Sequence, residues 1–307
     1  MADCNNYDYT IFMTSIALPP LYRQWVDEIL KQDIYSEPQA TCEDCAMCKY
    51  VDPPATQDKY FKPNVKCCSY YPTIPNYLIG AIISDDDPSL NEVKEEFLER
   101  IMKFLITPLG IQAPYIVNLY NVFEPFGQYE NLLCPFYISH SGGLCGIWKY
   151  RNSVCSTYFC KHERGQVGWL FWRRLALMLI SAERHLSRYC ADQFPVIIPE
   201  NPSDVRERTW GNWMFREAEF FQNCWNIVRE LRWDDVVEIA GIELESRVKD
   251  FKNQSEVMQS KVVPESLKMN HMFRYEEVAE GLSRVWGYSK YNPIHLPTNV
   301  VRALECF

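Results

Sequence analysis

The chain lacks the signatures of the common enzyme classes. It has no Gly-x-Gly-x-x-Gly, no P-loop, no Gly-x-Ser-x-Gly and no His-Glu-x-x-His. The motif-based case for dinucleotide binding, phosphoryl transfer, a serine nucleophile elbow or a zincin site is therefore missing. A radical-SAM Cys-x-x-x-Cys-x-x-Cys is missing too. Basic charge is scarce: 31 Lys and Arg stand against 40 Asp and Glu, a net charge of −9. That balance argues against non-specific nucleic-acid binding and against a membrane-surface role, both of which rest on basic patches. No apolar run approaches the ~18 residues of a membrane span. The opening Met-Ala-Asp-Cys-Asn-Asn-Tyr has neither a positive n-region nor an apolar h-region. The expected location is the cytoplasm, where thiols stay reduced.

What is present is a core and an unusual amount of sulfur. The length of 307 residues allows one large domain or two ordinary ones, and 47% hydrophobic residues suffice to fill a core. Nine Trp, nineteen Tyr and sixteen Phe exclude a disordered composition. Of thirteen cysteines, nine fall in two clusters: Cys42, Cys45, Cys48, Cys67 and Cys68, then Cys134, Cys145, Cys155 and Cys160. Thiols so dense imply either a disulfide framework or a soft-metal site. The odd count, the length and the want of an export signal disfavour disulfides. The run Cys42-x-x-Cys45-x-x-Cys48 brings three sulfurs within about ten ångströms of backbone. It suits three corners of a cubane better than a mononuclear zinc, whose ligands more often come as two separated pairs. We expect an iron–sulfur cluster, 4Fe-4S, with zinc as the alternative. Nine thiols exceed the four that one centre needs, so two centres, or one centre with spare or redox-active thiols, both satisfy the count. Cys4, Cys190, Cys224 and Cys306 lie apart and read as small buried hydrophobes.

The order of these residues resembles the YkgJ-type cysteine-cluster family, described as zinc- or iron-chelating. The match is closest in Cys134-Pro-Phe, Cys145-Gly-Ile-Trp148, Arg151 and Cys155. It departs from the family pattern in three places. The Cys67-Cys68 pair lies outside the first run, Asn152 stands where the family has Pro, and Cys160 is extra. The resemblance covers roughly residues 42–162 and implies a metal site.

His162, Arg164 and Trp169 follow the last clustered cysteine and are the candidates to contact a cofactor. His162 can serve as a mixed ligand or as a donor to sulfur, and the alternative is a polar residue at a helix start. His140 lies in a turn, Ser139-His-Ser-Gly-Gly, and reads as solvated. Lys161, Arg164, Arg173 and Arg174 form a basic run that can offset cluster charge or face solvent. Thr209-Trp-Gly-Asn-Trp-Met-Phe-Arg can wall a pocket, although aromatics at helical spacing are more often core.

The expected fold is mainly α with minor β: a helical body against a loop-rich cysteine-cluster region. Residues 1–200 are expected to form the metal-binding domain with a long helix over Gly165–Tyr189. Residues 201–260 should be a helical region packed on it, and 268–307 a tail, a winged-helix-like remnant. Helices are expected from Tyr22, over Leu90–Ile106, over 203–232 and 234–251, and over Tyr275–Trp286. Tyr77–Ile83 is a strand or a buried helical turn, and Lys252–Leu267 a linker. Within the tail, Tyr288–Pro297 is similar to the opening of a PqqD-like module, which implies peptide binding by strand addition. The functional alternatives are a redox or cluster-dependent enzyme, and a metal-stapled module binding a protein, a peptide or a small-molecule substrate.

Overall fold

The helical body follows the apolar spacing of the chain. The computed structural model describes residues 18–37, 42, 45–48, 60–103, 105–113, 126–198, 209–260 and 272–305. Among these are α1 (Pro20–Leu30), α2 (Asn76–Ser84), α3 (Asn91–Met102), α4 (Ser153–Thr157), α5 (Gly165–Asp192), α6 (Glu217–Val228), α7 (Trp233–Ala240), α8 (Ile242–Gln259) and α9 (Thr298–Leu304). The strands are β1 (Ile74–Pro75) with β2 (Gly110–Ile111), β3 (Tyr137–Ile138) with β4 (Leu144–Cys145), and a three-stranded sheet of β5 (Arg274–Ala279), β6 (Leu282–Trp286) and β7 (Ile294–Pro297). All pair antiparallel, with β6 central in the last sheet. The fold is mainly α with minor β, as expected. No described helix is long and apolar enough to cross a membrane.

Helix α5 is the axis of the body. Its stripe of Phe171, Trp172, Leu175, Leu179, Ala182 and Leu186 is buried, which is the i, i+3, i+4 spacing of a core-facing helix. Helices α4, α6, α7 and α8 pack directly on it. Helix α1 begins at Pro20, where a missing N–H costs nothing. It buries Leu21, Tyr22, Trp25, Val26 and Ile29 on one face. Helix α2 is buried almost all round and lies against α6. Gly80 permits that approach: a Cβ there would stand 1.9 Å from the carbonyl oxygen of Phe221. Cys190 and Cys224 are fully buried in the same core, as small hydrophobes. Trp210 is buried as well, whereas Phe215 is exposed.

Four expectations need correction. The helices expected over 203–232 and 234–251 are instead α6 over Glu217–Val228, then α7 and α8 broken at Gly241 with φ +67°. Tyr275–Trp286 is not a helix but the β5–β6 hairpin. Its turn is set by Gly281, at φ +72°, and β6, the central strand, buries Ser283, Arg284 and Val285 in a row. The polar stretch after Lys252 is not a linker at its start, because α8 runs on to Gln259 with Ser255 and Met258 buried. Helix α3 stops at Met102, short of Ile106. Tyr77–Ile83 is helical, as part of α2. Cys4, Cys306, residues 199–208 and residues 261–267 lie outside the described residues.

Candidate metal centre

Backbone hydrogen bonds join the cysteine-bearing segments. In the first run the Cys48 N–H donates to the Cys45 carbonyl at 3.0 Å, and buried Met47 accepts from the Phe61 N–H. The turn over residues 62–68 then presents Cys67 and Cys68. The Cys68 carbonyl accepts from the Cys134 N–H at 2.6 Å, tying the first cluster to the second. Cys145 sits in β4, opposite Tyr137. Cys155 follows in α4, whose start is capped by Asn152. The Asn152 side chain accepts from the Cys155 N–H and donates to the Thr73 carbonyl, each at 3.0 Å. Asn152 thus acts as a helix cap.

Two cations are buried in this region. Lys66 adopts φ +55°, a left-handed conformation that costs a non-glycine residue about 1–2 kcal/mol. Its ammonium is saturated by three carbonyl oxygens: Cys42 at 2.8 Å, Gly142 at 2.9 Å and Gly143 at 3.0 Å. One side chain therefore pins the first run, the Cys67-Cys68 turn and the turn before Cys145. The buried Arg151 guanidinium stacks on Trp148, 3.5 Å from the ring centroid. It donates to the Trp148 carbonyl at 3.1 Å and to the Cys155 carbonyl at 3.5 Å. Lys66 carried no signal in the sequence reading, since nothing sets it apart from a solvated lysine.

All nine clustered cysteines are half-buried free thiols. Burial pushes Cys42 and Cys145 up to about 11, and Cys48 and Cys160 up to about 12. Burial also raises Cys134 and Cys155. Cys67 is raised chiefly by the hydrogen bond with Cys68. Arg151 works against the rise at Cys42, Cys145 and Cys155, and Lys66 does so at Cys42 and Cys48. These seven thiols are thus neutral without a ligand, and a soft metal would have to displace their protons. Thiols are the donors such a metal prefers, so the donor chemistry fits zinc or an iron–sulfur unit. Among the described residues, no group of three or more Cys, His, Asp or Glu side chains stands close enough to grip a metal ion. Ligation would therefore require the sulfurs to close in from their present spacing.

The three candidates beyond Cys160 have different surroundings. His162 is buried, with Nδ1 lacking a partner, and burial lowers it to about 4. Its ring meets Phe159 and Tyr288. Arg164 stacks on Tyr35 at 3.7 Å and donates to the Met258 carbonyl at 2.9 Å. Trp169 lies against Tyr288 and Arg173. His140 is exposed on a 3-10 turn. Arg174 pairs with Asp250 at the surface.

Two buried carboxyl groups behind the site escaped the sequence reading. Glu37 accepts from the Glu163 N–H at 2.7 Å and from Trp172 Nε1 at 2.9 Å, beside the start of α5. Glu183, on α5, holds Ser153 and accepts from the Tyr22 hydroxyl. The tail also reaches the site. Tyr291 packs on Tyr60 and Phe61, and the Asn292 side chain donates to the His162 carbonyl at 3.3 Å. No protein-family model matches the chain, and no curated protein or solved structure is detectably similar to it.

Proposed function

We propose that this chain is a cytoplasmic metal-binding protein, akin to the YkgJ-type cysteine-cluster family, whose clustered thiols hold an iron–sulfur centre for redox or cluster-dependent enzymatic work. One observation carries the reading: backbone carbonyls of separate segments that bear free thiols meet at two buried cations. Burying a cation is unfavourable unless a negative charge meets it. Ligated thiolates supply that charge, and metal binding would in turn contribute to folding.

A second reading is a zinc- or cluster-stapled module that binds a protein or peptide. It is favoured by the tail, whose sheet has β5 and β7 as its outer strands and whose Tyr288 and Tyr291 pack beside the cysteine region.

Anaerobic purification, an absorption spectrum and analysis for iron, sulfide and zinc test the metal on which both rest. The first reading expects brown protein with a broad band near roughly 400 nm. Colourless protein with stoichiometric zinc would favour the stapled module. Protein with neither metal would overturn both.

A further inference from the structure

A cleft apart from the cysteines lies at one end of the tail sheet. Its volume is about 400 Å³, and Met272, Arg274, Trp286, Gly287, Tyr288 and Lys290 line it. That size falls towards the lower end of small-molecule sites, which run from roughly 300 to 1,000 Å³. Strand register builds one wall. Arg274 on β5 pairs with Trp286 on β6, and directly opposed residues project on the same face of a sheet. The other face is taken: there the Ser283 hydroxyl meets that of Thr298, on α9, at 2.9 Å, and Val285 is buried.

Two kinds of side chain meet in the cleft. Trp286 and Tyr288 are half-buried and supply aromatic surface. Tyr288 is braced by the body of the molecule, its ring 5.6 Å from that of His162 and 6.1 Å from that of Trp169. A ring held in this way loses little freedom when a second ring stacks on it. Arg274 and Lys290 are exposed and supply two positive charges. Among the described residues no acidic side chain lines the cleft. Glu276, two positions along β5 from Arg274, is engaged by Arg284 at 2.9 Å. In a chain of net charge −9, this pair of cations runs against the overall sign.

Charge narrows the ligand. A guanidinium matches the geometry of a carboxylate or of a phosphate. A carboxylate brings one negative charge, whereas a phosphate monoester carries about 1.5 to 2 at pH 7. Two cations balance the second. The aromatic surface beside them suits a flat ring, which stacks on Trp or Tyr whatever its substituents.

We propose that this cleft binds a small phosphate monoester that carries an aromatic ring, with the phosphate held by Arg274 and Lys290 and the ring stacked on Trp286 and Tyr288. The proposal is independent of the metal-binding reading, and neither stands or falls with the other.

The test is calorimetric titration of the full chain with phenyl phosphate and the four nucleoside monophosphates. Adenosine, inorganic phosphate and phenylacetate serve as partial ligands. At least one aromatic phosphate should bind, and each partial ligand should bind at least tenfold more weakly. Arg274→Gln and Lys290→Gln, both at exposed positions, should each weaken binding at least fivefold, while Arg302→Gln on α9 should leave it unchanged. A second readout needs no variant: the bound phosphate should protect Lys290 from acetylation, as mapped by mass spectrometry. Failure of every aromatic phosphate to bind would overturn the proposal. So would binding that survives both substitutions with Lys290 unprotected, or phenylacetate binding as tightly as phenyl phosphate.

Discussion

Glu183 grips Ser153 with both carboxyl oxygens: one accepts from the Ser153 N–H at 2.6 Å, the other from its hydroxyl at 2.5 Å. This contact locks α5, the axis of the body, to α4, the carrier of Cys155. Burial raises the Glu183 carboxyl to about 7, against the pull of those hydrogen bonds. The folded chain therefore holds a proton that the unfolded chain releases between about 4.5 and 7. Stability falls as pH rises through that window and levels off above it. The difference attributable to this group is on the order of 3 kcal/mol, at 1.36 kcal/mol per unit. Denaturant titrations at pH 5 and pH 8 should show Glu183→Gln losing this component. Parallel pH profiles for the two proteins would refute it.

Gly80 should tolerate no side chain. A methyl group would meet the Phe221 carbonyl at 1.9 Å and the Trp225 Cβ at 2.9 Å. Backbone cannot yield as a flexible side chain can, so Gly80→Ala must push α2 off α6. A loss of roughly 1–3 kcal/mol or more is expected in chemical denaturation. An unchanged midpoint would show that the two helices stand further apart than described.

Asn152 should act as a structural cap rather than as a variable loop residue. Asn152→Ala removes two hydrogen bonds made by a buried side chain, to the Cys155 N–H and the Thr73 carbonyl. The expected cost is about 1–3 kcal/mol. Hydrogen exchange should report it locally, as faster exchange at the Cys155 amide. Slow exchange there in the variant would mean that the cap is dispensable.

Removing bound metal should loosen one part of the molecule only. Of the clustered thiols, only Cys134 and Cys145 pack against the core that holds the buried stripe of α5. After chelation, amides over residues 60–70 and 134–160 should exchange faster, while those of Phe171–Cys190 stay protected. Cys190→Ser should do the reverse: a core cost on the order of 1 kcal/mol with metal content unchanged. Metal loss in Cys190→Ser would contradict the separation of core and centre.

The long helix was legible because its apolar period runs for seven turns, and the structure extends it only from Tyr189 to Asp192. The cysteine spacing likewise marked the region where Lys66 and Arg151 now stand. The tail misled because Tyr275-Glu-Glu-Val-Ala-Glu is rich in helix formers. The hairpin is decided instead by Gly281 and by burial of Ser283 against Thr298, whose hydroxyls meet at 2.9 Å. Lys66, Glu37 and Glu183 were invisible for a different reason. A buried charged residue announces itself through partners far along the chain, and Glu183 reaches Tyr22 and Ser153 across 161 and 30 positions.

The docking of Tyr288 and Tyr291 beside the cysteines has a consequence for biosynthesis. Every clustered cysteine leaves the ribosome well before the tail, whose Tyr288 and Tyr291 pack on His162 and Tyr60 in the same region. At 5–20 residues per second, the delay between Cys160 and Tyr288 is on the order of ten seconds. During that interval the nascent thiols are uncovered on the tail side, so any ligand they take up would reach them most easily while translation is still under way.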